Sequence, residues 1–119
     1  MPRAAINREL SIEEQALIKW LIANGSPEAK AYESQLPLLR IVGGCDCGCP
    51  TVNFAVGSRR EISGPPRIIA DFIGMTPAGI EVGVILFAAG EQISELEVYS
   101  LSGAEGKFSL PAIASLHPF

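Results

Sequence analysis

The hydrophobic period of this chain changes once, at Pro37. Before that residue apolar side chains recur at helical spacing; beyond it they alternate, or run in blocks of strand length. The change predicts helices first and strands after. Ser11 and Glu14 have the spacing of a capping box, in which each side chain satisfies a free backbone N–H at a helix start. Ala16, Leu17, Trp20, Leu21 and Ala23 follow as an apolar stripe with Trp20 in the core, and Gly25 stands where a C-terminal cap belongs. Ser26-Pro27 restarts the helix, Ser at the N-cap and Pro at the first helical position. Ala29, Tyr32 and Leu36 then face inward until Pro37 stops the run. The expected helices cover about residues 11–24 and 27–36.

Five strands are expected beyond Pro37, at Leu38–Val42, Thr51–Val56, Arg67–Met75, Ile80–Ala88 and Ile93–Leu101. A further one at Lys107–Ile113 and a frayed tail, Leu116–Phe119, complete the pass. Turn-forming residues separate them, as in Thr76-Pro77-Ala78-Gly79 and Ala89-Gly90-Glu91. Ile80–Ala88 is apolar on both faces except at Glu81, the composition of a central strand covered on both sides. Short connections force antiparallel neighbours. The expected fold class is therefore α+β: an N-terminal helical hairpin packed on one face of an antiparallel sheet of about five strands, with the strand-rich part at 38–113 of a single domain, 1–119.

A chain of 119 residues with 48% hydrophobic residues supplies a core without disulfides or metal. Charged residues make up 18%, which argues against disorder. The longest nearly continuous apolar stretch, Val82–Ala89, is far short of a membrane span, and the N-terminus lacks the apolar core of a signal peptide. The default expectation is a cytoplasmic protein with reduced thiols. Charge is uneven. Residues 1–67 hold eight Lys/Arg against seven Asp/Glu, while residues 68–119 hold Lys107 alone against Asp71, Glu81, Glu91, Glu95, Glu97 and Glu105. An acidic body of this kind repels nucleic acid and suits a basic protein partner.

Chemistry-bearing side chains concentrate in one run, Cys45-Asp46-Cys47-Gly48-Cys49-Pro50, which holds every cysteine of the chain. Extended, the run would put its sulfurs about 6–7 Å apart on one face, too far to share a tetrahedral metal. Curled, as Gly43-Gly44, Gly48 and Pro50 permit, the sulfurs of Cys45, Cys47 and Cys49 would converge. Zinc wants wider Cys spacing and a fourth ligand, which Asp46 does not supply and which His117 would supply only from the tail; a soft ion such as copper(I) accepts two or three thiolates. Thiol redox is a third reading, since a disulfide between such near neighbours closes a small, strained ring. The plainest reading, favoured over these, is a tight turn between two strands.

Other candidates carry more ordinary readings. Glu95 and Glu97, joined by a carboxylate from a neighbouring strand, would make an acidic pair on one sheet face; as a solvated face they need no function, and as acid–base groups they need a concave pocket. Arg59-Arg60 with Arg67 would grip a phosphate, or simply be solvated. His117 has no acid or nucleophile near it in sequence. Glycine-rich phosphate loops, nucleophile elbows and His-Glu-x-x-His zinc motifs are all absent.

The segment Val42-Gly43-Gly44-Cys45-Asp46-Cys47-Gly48-Cys49-Pro50-Thr51-Val52 resembles a block of small uncharacterised bacterial proteins carrying Cys-x-Cys-Gly-Cys-Pro. Val84–Glu97 resembles a second block of the same group, a strand and short turn followed by an Ile-Ser-x-Leu-Glu pattern. Together the blocks cover about a fifth of the chain. The resemblance implies a leading helical hairpin and a strand-rich half, and no activity. The functional expectation is thus a small non-enzymatic binding or interaction protein with an acidic C-terminal half. The alternative is a zinc- or copper-binding or thiol redox protein using Cys45, Cys47 and Cys49. A homodimer through the sheet is a further expectation, because two short helices leave one face of an apolar strand uncovered.

Overall fold

The computed structural model describes residues 3–45, 48–57, 64–103 and 107–118, with backbone alone at residues 3–6. Its order is β1 (Arg3–Glu9), α1 (Ile12–Asn24), a 3-10 helix (Pro27–Leu38), β2 (Leu39–Cys45), β3 (Val52–Val56), β4 (Pro66–Met75), β5 (Glu81–Ala89), β6 (Gln92–Ser100), a 3-10 turn (Ile113–Ser115) and β7 (His117–Pro118). The class is α+β. The seven strands form one sheet in the order β1-β2-β3-β6-β5-β4-β7, every pair antiparallel. Among the described residues no helix is long and apolar enough to cross a membrane.

The count of about five strands is corrected to seven, and helices do not come first. β1 precedes α1 and pairs with β2. Its sequence, Arg-Ala-Ala-Ile-Asn-Arg-Glu, has neither alternation nor a β-branched run, so its strand state comes from a partner more than thirty residues away. The tail is not frayed: His117 and Pro118 pair with Ile73 and Phe72. The strand expected at Lys107–Ile113 does not form. That segment instead lies against the helical layer, where Phe108, Leu110, Ile113 and Leu116 pack on the core.

The capping box is present in full. Glu14 N–H donates to Ser11 Oγ at 3.1 Å and Ser11 N–H to Glu14 Oε1 at 2.8 Å. Arg8, on β1, adds a two-pronged contact to the same carboxylate at 2.8 and 2.9 Å, which ties the first strand to the first helix. The buried stripe is shifted from the expected one. Leu17, Ile18, Leu21 and Ile22 face the core, while Ala16 and Ala23 are exposed. Trp20 is half-buried rather than core, edge-on to Phe72 with ring centroids 4.8 Å apart. Gly25 does not use left-handed backbone; its φ is −79°. A Cβ there would stand 2.5 Å from Ile69 O, so glycine lets the helix end seat directly on β4. The second helix is 3-10 throughout and continues through Pro37 to Leu38, past the stop expected at Pro37.

Two meanders make up the sheet, β1-β2-β3 and β4-β5-β6, joined where β6 returns beside β3. The join is narrow: Val52 faces Leu96 and Asn53 faces Glu95. Buried Thr51 lengthens it with its side chain. Its Oγ1 accepts from Val98 N–H at 3.0 Å and donates to Val98 O at 3.2 Å, doing the work of a backbone rung. α1, the 3-10 helix and residues 108–116 cover one face of the sheet. Beneath them lie Ile41, Phe54, Val82, Val84, Leu86, Ala88, Ile93, Leu96 and Val98, all 0–1% exposed. Each large side chain removed from water this way contributes ~1.5–3 kcal/mol.

The outer edge of β4 is occupied at points from Ile69 to Met75. Ser26 N–H donates to Ile69 O, β7 pairs at Phe72 and Ile73, Met75 N–H donates to Ser115 Oγ, and Ala112 N–H donates to Met75 O. β1 ends the sheet on the other side.

Candidate functional site: the sheet face opposite the helices

Side chains alternate across a strand, so the residues between the core positions point to the other face. The register lines them up in rows. Asp71 (β4), Ile85 (β5) and Glu97 (β6) form one row; Ile73, Gly83 and Tyr99 the next; Phe87, Glu95 and Asn53 a third, with Ile68 beside Phe87. The carboxylate expected from a neighbouring strand is not the one the register supplies: Asp71 lies two strands from Glu97, with Ile85 of the neighbouring strand between them. β5 and β6 contain no Lys or Arg. Arg67 of β4 turns to the helical side, where its guanidinium meets Glu28, the Tyr32 hydroxyl and Gly90 O.

Tyr99 belongs to this site and was missed from sequence. The signal was there, because residues 95, 97 and 99 alternate onto one face. Its ring lies across Gly83, where a Cβ would come within 2.2 Å of Cζ. The absent side chain makes the seat for the ring. Partial desolvation first, then the negative charges of Asp71 and Glu97, push the Tyr99 phenol above its ordinary value. The surroundings are apolar as well as acidic. Ile73, Ile85 and Phe87 are half-buried, and Ile68 and Met75 are 52% and 45% exposed.

The cysteine run joins β2 to β3. Cys45 closes β2 and is half-buried, as is Cys49. Gly48 adopts φ +91° and packs against Lys107, whose Cγ would stand 2.7 Å from a Cβ at that position. Asp46 and Cys47 lie outside the described residues, so the convergence of three sulfurs does too. Among the described residues no group of three His, Cys, Asp or Glu side chains is placed to hold a metal ion. Arg59 and Arg60 also fall outside the described residues, and Arg67 is engaged as above. His117 is exposed beside Ile73 at the β7 edge.

Three grooves lie away from this face or at its margin. One of about 710 Å3 runs between the start of α1 and residues 109–113, lined chiefly by Ile12, Ala16, Leu17, Pro77, Leu110 and Pro111. Smaller ones of about 240 and 150 Å3 lie at Asn24–Ser26 against β4 and at Leu36–Arg40. None of the three includes Glu95 or Glu97.

Comparison of the chain with protein-family models, with curated proteins and with solved structures finds no match.

Proposed function

We propose that this protein is a non-enzymatic binding module that recognises a basic protein partner through the face of its sheet opposite the helical layer. One observation carries the reading: Asp71 and Glu97 stand in one row on either side of half-buried Ile85, with Tyr99 in the next row, and β5 and β6 contain no Lys or Arg. Apolar area supplies the affinity and the carboxylates choose the sign of the partner. A second copy of the chain fits this face less well, because stacking the two sheets would set carboxylates against carboxylates.

The test is titration of the isotopically labelled protein with a lysine decamer near physiological salt, followed by amide shifts. The expected outcome is a saturable perturbation confined to β4–β6, weakened by salt and lost in Glu97→Gln. Shifts spread evenly over all acidic surfaces, or surviving in the variant, would refute the reading.

A further inference from the structure

The end of α1 is pressed onto β4 because Gly25 has no side chain: a Cβ there would stand 2.5 Å from Ile69 O and 3.0 Å from Ala70 Cβ. This contact sets Ser26 beside the outer edge of β4, where its N–H donates to Ile69 O at 2.9 Å. Ser26 stands at the N-cap of the 3-10 helix without capping it by its side chain. Pro27 has no N–H to offer, and Ala29 N–H goes to the Ser26 carbonyl at 2.9 Å. Ser26 Oγ is buried with no hydrogen-bond partner, and so is Asp71 Oδ1; among the described residues these are the two buried side-chain polar atoms in that condition. Both residues line one groove of about 240 Å3, together with Asn24, Ile68, Ala70 and Phe72.

Buried polar atoms are almost always hydrogen-bonded, so two orphans on residues of one groove point to a ligand that bonds to both. An ionised carboxylate only accepts and a hydroxyl can accept, so the ligand must donate, and Asp71 favours a positive one. Asn24 also lines the groove; it commits an amide N–H to Trp20 O at 2.9 Å and keeps its amide oxygen as a further acceptor. The lining holds no Lys or Arg, and Arg67 of β4 is held on the helical side by Glu28, Tyr32 and Gly90 O. A water takes about 30 Å3 of liquid volume, several times less than this groove of about 240 Å3. An alkylammonium meets these terms. It is a compact charge with three N–H donors, on a methylene stem that can lie against Ile68, Ala70 and Phe72. A guanidinium, a planar fork, is matched to the two oxygens of one carboxylate and less to separate acceptors on a helix end and a strand.

We infer that a lysine ammonium of the basic partner anchors in this groove, donating to Asp71 Oδ1 and Ser26 Oγ. This rests on the binding reading above and places one of the partner's cations at the β4 edge.

A lysine decamer and the same decamer trimethylated at every Nζ test it on the unaltered chain. Trimethylation keeps each charge and removes every side-chain N–H donor. Binding is read by fluorescence anisotropy and mapped by amide shifts. The unmodified decamer is expected to bind at least fivefold more tightly and to perturb the amides of Ser26, Ala70 and Asp71, which the trimethylated one leaves in place. Ser26→Ala should bring the two peptides to within about twofold of each other without lowering the unfolding midpoint, since the hydroxyl it removes has no partner. Equal affinity for the two peptides on the parent chain, or a preference that survives in Ser26→Ala, would overturn the anchor and leave the basic-partner reading standing. A lowered midpoint in Ser26→Ala without peptide would assign both atoms to a structural water and overturn the anchor too. If neither peptide perturbs β4–β6, anchor and basic-partner reading are both overturned.

Discussion

The two faces of the sheet are made by the same strands, residue by residue in alternation, and they put those strands to different uses. The helical face is dry. Val82, Val84 and Leu86 on β5 are 0% exposed beneath α1 and the 3-10 helix. On the other face Ile85 and Phe87, one step along the same strand, are half-buried and sit beside Glu95, Glu97 and Asp71. Burial on the first face secures the fold; charge and partial exposure set the second apart, and the proposed binding would use it. Stability and binding should therefore separate by face, and substitutions can test that separation directly.

The largest effect is expected at Leu86. Leu86→Ala should cost ~2–5 kcal/mol in chemical unfolding, since it removes a fully buried side chain and leaves a cavity. Ile85→Ala, on the other face of the same strand, should cost under ~1.5 kcal/mol. Comparable losses would show that the second face is core too. Gly83→Ala comes next: the new Cβ meets the Tyr99 ring, and overpacking should cost ~1–3 kcal/mol. Tyr99→Ala should recover most of that loss in a double-mutant cycle, and additivity would mean the ring does not rest there. Thr51→Val leaves the buried Val98 N–H without its partner, for ~1–3 kcal/mol, and should weaken the join between the meanders. Hydrogen exchange at β3 and β6 would locate the change.

Two titrations sharpen the contrast at smaller amplitude. On the helical side, burial alone would raise the Glu14 carboxyl, but Arg8 and the Ser11 N–H and hydroxyl hold it below its ordinary value. Its folded value lies under its unfolded one. The contribution is present above about pH 4 and is lost as pH falls through the folded value. Unfolding midpoints of Glu14→Gln should thus depend less on pH below 4 than those of the parent chain. On the opposite face the Tyr99 phenol is held high, so its contribution is present below about pH 10 and is lost as pH rises through the folded value. Glu97→Gln should lower that titration, read from phenolate absorbance, while changing stability by no more than ~0.5 kcal/mol. An unmoved titration would separate Tyr99 from Glu97.

Local chemistry was legible in the sequence, and pairing was not. Ser11 and Glu14 announce a helix start because a capping box is complete within four residues. β4, β5 and β6 fall within one residue of their expected bounds at either end, because period and turn residues agree. β1 and β7 were not foreseen, since each is a strand only by virtue of its neighbour. Gly25 was expected to serve through its backbone angles and serves through its size, a distinction that depends on Ile69 across the interface. Glu95 and Glu97 were visible as a pair; Asp71 and Gly83 joined them only once register was known. Sequence reports what a residue does to its own backbone, and a site assembled across three strands is written in the pairing between them.

The edges of the sheet have a consequence for self-association. Strand-by-strand polymers need each molecule to accept a neighbour on one flank while offering the opposite flank to the next. Here Ser26, β7, Ala112 and Ser115 already engage the β4 backbone at Ile69, Phe72, Ile73 and Met75, so that flank has little to offer. Among the described residues β1 is the long edge left for strand addition, and two molecules joined along it would use up that edge on both, leaving further growth to the two-residue β7 flank.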